Sequence, residues 1–127
     1  MDPFRLARDE LEYELSVRDY INLESYTALD MKKMLAKIIK SEKFGTFVNN
    51  PTEQIDCPTE LTICTRKVVE LQALSELVDS IESNDGRRFF AKTSHVLGRL
   101  ARITSETEDV NAGIKRLREE LNQLETV

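Results

Sequence analysis

The stretch TEDVNAGIKRLREELNQLETV, Thr107–Val127, decides the fold class. Its apolar residues Val110, Ile114, Leu117, Leu121 and Leu124 follow one another at steps of four, three, four and three. That is the period of a helix with one buried stripe, and Lys115, Arg116, Arg118, Glu119 and Glu120 flank it as coiled-coil edge positions do. Thr107 is the expected N-cap. The seam covers about two heptads, a length at which an isolated helix is marginal, so it must pack on something. Two packings are open. In one the seam closes on helices of its own chain; in the other it pairs with a second copy.

Moving upstream, Phe89, Phe90, Val96, Leu97, Leu100 and Ile103 give a fourth helix over about Arg87–Thr104. Before it, Ser83-Asn84-Asp85-Gly86 reads as a turn that reverses the chain. Thr59 is the expected cap of a long third helix, with Leu61, Cys64, Val68 and Leu71 in one row and Leu74, Leu77 and Ile81 beside it. Two rows imply a wide buried face touching more than one neighbour. Residues 44–58 hold Gly45, Asn49-Asn50-Pro51 and Pro58 and read as an irregular linker, pinned by Phe44, Phe47, Val48 and Ile55.

At the N-terminus, Asp2-Pro3 announces a first helix to about Arg18, with Phe4, Ala7, Leu11 and Leu15 as its stripe. Thr27 with Asp30 forms a capping box for a second helix, whose buried row is Met31, Met34, Leu35, Ile38 and Ile39. The expected architecture is therefore all-α. A helix-loop-helix over residues 1–43 precedes the linker, and a three-helix antiparallel bundle or coiled coil over residues 59–127 serves as the oligomerisation region.

Composition agrees. The chain of 127 residues has 40% hydrophobic and 32% charged residues with only 4 Gly and 3 Pro, too few turn formers for a sandwich or barrel. A net charge of −5 is the wrong sign for a generic nucleic-acid binder. No run approaches the roughly 20 apolar residues of a membrane span. The charged opening MDPFRLARDELEYEL lacks a secretory pattern, and Asp2 stands where N-myristoylation requires Gly. A cytoplasmic setting is expected, with Cys57 and Cys64 as thiols. The uncapped end at Leu124-Glu125-Thr126-Val127 suggests a segment of a longer protein.

Chemistry is not expected. His95, the single histidine, has no nucleophile or orienting partner in its local sequence and reads as structural. Cys57, Cys64 and His95 lack the paired spacing that closes a zinc site, and Cys64 falls on a buried row. Nucleotide-binding, hydrolase-elbow and zincin motifs are missing, so no catalytic residue, cofactor or metal is assigned. A basic row remains on the second helix. Lys32, Lys33, Lys37 and Lys40 could meet phosphates, but no aromatic is interleaved in the row, the acidic first helix packs close by, and a solvated face is the better reading.

Two segments carry a resemblance: LARDELEYELSVRDY followed by MKKMLAKIIKSEK, and ICTRKVVELQALSELVDSIESNDGRRFFAKTSHVLGRLARI. Together they resemble the N-terminal, pre-capsid region of Gag polyproteins of insect gypsy-type LTR retrotransposons, or of a domesticated descendant. The first is similar to that family's opening helix-loop-helix, itself SAP-like. The second is similar to its long helix, turn and following helix, matched at His95, Leu97, Arg99, Leu100, Arg102 and Ile103. The resemblance implies a matrix-position domain that supports particle assembly by self-association, a dimer foremost, ahead of a capsid region of the same polyprotein. Val110, Ile114, Leu117, Leu121 and Leu124 are then the expected interface. No CCHC zinc knuckle lies in the chain, so genome packaging is not expected of it. Two other readings stand beside this one: a nucleic-acid adaptor using the lysine row, and a host adaptor for an unrelated helical ligand.

Overall fold

The structure is a computed structural model that describes residues 1–18, 20, 22–42, 56–80, 82–103 and 108–125. The described residues form five α-helices and two short 3-10 turns and include no strand, so the chain is all-α. It divides into two compact units, Met1–Gln54 and Ile55–Val127.

In the first unit, a 3-10 turn at Pro3–Arg5 precedes α1 (Arg8–Ser16), a second turn at Leu23–Ser25 and α2 (Ala28–Ser41). The single first helix expected from Pro3 is thus split. The Asp2 carboxylate accepts from the Phe4 N–H and closes one tight turn, after which Leu6 and Ala7 are extended. Glu10 then reaches back to accept from the Ala7 N–H at 2.7 Å and restarts the helix. The break changes the buried set. Leu6, Leu11, Leu15 and Val17 go inside, while Phe4 and Ala7, placed on the stripe by a continuous period, stay exposed.

α2 starts as expected: Thr27 Oγ1 accepts from Asp30 N–H, and an Asp30 carboxylate oxygen accepts from Thr27 N–H, both at 3.1 Å. Met31 and Leu35 are fully buried, and Met34, Ile38 and Ile39 are half-buried. Each fully buried aliphatic side chain contributes about 1.5–3 kcal/mol, which makes Leu11, Leu15, Met31 and Leu35 the main source of cohesion here. Two arginines fasten the ends. Arg8 Nη2 donates to the Tyr26 carbonyl just before α2, and Arg18 Nε donates to Glu42 at 2.7 Å just after it. Starts lie with starts and ends with ends, so α1 and α2 run side by side in the same sense.

In the second unit, α3 (Cys57–Ser75), α4 (Asn84–Arg102) and α5 (Glu108–Glu125) pack on one another as a three-helix bundle. α3 begins two residues before the expected cap: Asp56 is the N-cap, with Pro58 in the first turn, and Thr59 donates to Asp56 instead of capping. Proline belongs there because that position needs no intrahelical N–H. At α4, Ser83 accepts from the Gly86 N–H, so Asn84-Asp85-Gly86 forms the first helical turn where a loop was expected. Antiparallel packing of α3 and α4 is visible in one ion pair, Glu60 in the first turn of α3 with Arg99 in the last turns of α4. Gly113 of α5 lies against Leu61 of α3 so closely that a β-carbon there would sit 2.8 Å from a Leu61 methyl. A larger residue there would require the Leu61 side chain to shift. Thr107, Ile81 and the anchors Phe44, Phe47, Val48 and Ile55 lie outside the described residues.

Candidate functional site

The α5 seam faces the core of the second unit. Leu117 and Leu121 are 1% and 0% exposed, and Val110 is also buried; all three join Cys64, Val68, Leu71, Phe89, Val96 and Leu100 in the core of the second unit. Ile114 and Leu124 pack half-buried against the same core. Expected as the centre of a surface between copies, the seam is instead covered by α3 and α4 of its own chain. The physical reason is supply: α3 and α4 present wide apolar faces, and among the described residues of that unit α5 is the remaining helix that covers them.

Other apolar side chains are left on the outside. On α3, Val69 is 59% exposed, Ala73 is exposed one turn later, and Leu77, in the turn that ends the helix, is 62% exposed. Leu77 had been expected inward. It turns out because α3 stops at Ser75 and the Leu77 N–H bonds the Leu74 carbonyl, breaking the helical register. Arg66 is exposed N-terminal to Val69, and Glu76 is exposed just before Leu77. Phe90 of α4, expected inside, is also 38% exposed, with its ring edge-on to buried Phe89.

Several polar side chains of α4 lie inside the bundle. His95, Arg99 and Arg102 are buried, as is Lys67 of α3. Arg99 donates to both Glu60 carboxylate oxygens, at 2.5 and 3.0 Å, a bidentate pair that orients the helices. The Thr93 hydroxyl finds no hydrogen-bond partner among the described residues. Burial pushes the Cys64 thiol up to about 12, assisted by the neighbouring Glu60 charge, so the thiolate is suppressed. Cys57 is half-buried at the start of α3, and no disulfide joins the two. No cluster of three metal-ligating side chains exists among the described residues.

In the first unit, Glu14 is buried with Arg18. Burial works against the Arg18 charge, but its hydrogen bond to Glu42 and the nearby Glu14 and Glu42 carboxylates outweigh that and hold its pKa above the ordinary value. Along α2, Lys33, Lys37 and Lys40 are exposed on one face at steps of four and three, while Lys32 is half-buried. Tyr26, Asp30, Lys33, Met34 and Lys37 together line a shallow concavity of about 380 Å³. The tyrosine comes from the segment before the helix, which is why scanning the lysine row for interleaved aromatics misses it. No described helix is long and apolar enough to cross a membrane. No family model, curated protein or solved structure matches the chain.

Proposed function

We propose that this chain is a non-catalytic structural domain that associates with further copies of itself through the outer face of α3. One observation carries the proposal: Val69 on α3 and Leu77 just past its end are both more than half exposed, with exposed Ala73 between them in sequence and exposed Arg66 and Glu76 next along the chain. The opposite charges of Arg66 and Glu76 favour pairing with a second copy. Antiparallel pairing that sets Arg66 of one copy against Glu76 of the other brings Val69 against Ala73 about the same two-fold axis, with Leu77 at the edge of the contact. α5 then acts indirectly, by closing the bundle that holds α3 in place.

The resemblance to the pre-capsid region of retrotransposon Gag proteins supports the same reading from another side. In a polyprotein, weak pairing of this kind gathers chains while a downstream capsid region builds the shell. The test is solution mass by light scattering over a concentration series. Wild type should rise from monomer towards dimer, and Val69→Asp with Leu77→Asp should remain monomeric with unchanged helicity. A wild type that stays monomeric at every concentration disposes of the proposal, as does a double variant that still dimerises.

A further inference from the structure

We infer that the concavity on α2 is a binding site for single-stranded nucleic acid, distinct from the α3 face. Three observations carry it. First, Lys33, Lys37 and Lys40 project from one face of the helix, a row spanning about 10 Å at the helical rise of about 1.5 Å per residue. Second, although the whole chain is acidic, α2 is a basic element: four lysines stand against Asp30 alone. Third, the concavity beside the lysines is walled by the Tyr26 ring, 39% exposed, and by the half-buried Met34 side chain. A row of ammonium groups next to an exposed ring and a thioether is the pairing that holds a phosphate backbone and stacks one unpaired base.

The one carboxylate in the lining, Asp30, is outnumbered there by Lys33 and Lys37. Asp30 is also engaged by the Thr27 N–H and reciprocally caps the helix. Tyr26 is fixed from behind, because its carbonyl accepts from Arg8 Nη2 at 2.9 Å. The ring is therefore presented on an anchored backbone. A duplex would use the lysines but leave Tyr26 idle, since its bases are already stacked; a single strand uses both.

Fluorescence anisotropy of a labelled oligothymidylate with the full chain tests the inference. Binding at low salt is expected, with log K falling against log salt at a slope near −2, the value for about three phosphate contacts on a single strand. Lys33→Gln with Lys37→Gln should abolish most of the binding and flatten the slope. Tyr26→Ala should weaken it by about five-fold or more at an unchanged slope, and Tyr26→Phe should restore it. Circular dichroism identifies any variant that fails to fold, and the conservative Tyr26→Phe and Lys→Gln changes keep the test decisive in that event. No binding at low salt overturns the inference. So does insensitivity to Tyr26→Ala, equal affinity for a duplex of the same length, or binding to phosphatidylserine vesicles without binding to the oligonucleotide. None of these outcomes touches the α3 stripe, so the two proposals stand or fall separately.

Discussion

Replacing Leu121 by alanine asks directly which surface the α5 seam covers. Leu121 is fully buried, in the same core as Leu117, Leu71 and Leu100. The substitution deletes three carbons, worth about 2–3 kcal/mol of transfer free energy. The cavity left behind brings the expected loss to about 3 kcal/mol, within the 2–5 kcal/mol typical of such truncations. A unit of this length is stable by about 4–11 kcal/mol, so the variant should fold with a much reduced margin. With a urea dependence of about 1 kcal/mol per molar, its midpoint should fall by 2–3 M. The assay is urea unfolding followed by circular dichroism, in a Val69→Asp background to remove association. It should be run at about 5 µM and about 200 µM, because stability that comes from a partner subunit depends on protomer concentration. A seam buried within its own protomer predicts the same shift at both concentrations. A shift that grows on dilution, or one below about 0.5 kcal/mol, would refute the reasoning and return the seam to the space between copies.

Other consequences follow from the same geometry. Arg99→Leu strands the Glu60 carboxylate and should cost about 2–3 kcal/mol, whereas Arg99→Leu with Glu60→Leu should recover most of it, as a double-mutant thermal melt will show. Hydrogen bonding to the Thr27 backbone, and then to its side chain, holds the Asp30 carboxyl below its ordinary 3.8. The capping box should therefore contribute fully above that pH and weaken as pH falls through the lower folded value; Asp30→Asn should flatten that acid limb in a circular dichroism titration. Thr27→Ala should lower the stability of the first unit by about 1 kcal/mol in urea unfolding. With its thiol raised to about 12 and no exposed surface, Cys64 should react with a disulfide reagent far more slowly than Cys57 at neutral pH, and both should react promptly in denaturant.

Local rules settled much of this chain before any coordinates. Thr27 with Asp30, the Met31–Leu35 pair, and the row Cys64, Val68 and Leu71 were readable because a cap or a helical stripe involves residues within four positions of one another. Helix content, the absence of a spanning segment and the buried status of Cys64 follow from composition and period alone. Failures came where two local signals competed. Asp2 and Glu10 each offer a cap within eight residues, and the outcome was a broken first helix with Phe4 outside. Where α3 gives way to a turn, Leu77 kept its periodic spacing and lost its buried place.

What the sequence could not decide was partnership. A four-three seam states that Leu117 and Leu121 must be covered, and says nothing of whose residues cover them, because burial removes apolar area from water whichever chain supplies the lid. Tertiary packing answered that: α3 and α4 of the same unit do so, and Val69 and Leu77 are the most exposed large apolar residues described in that unit. It also brought Tyr26 to the lysines of α2 and folded Arg99 onto Glu60, a pairing of residues 39 apart. Contacts at that separation depend on how helices meet, which no periodicity within one helix can encode.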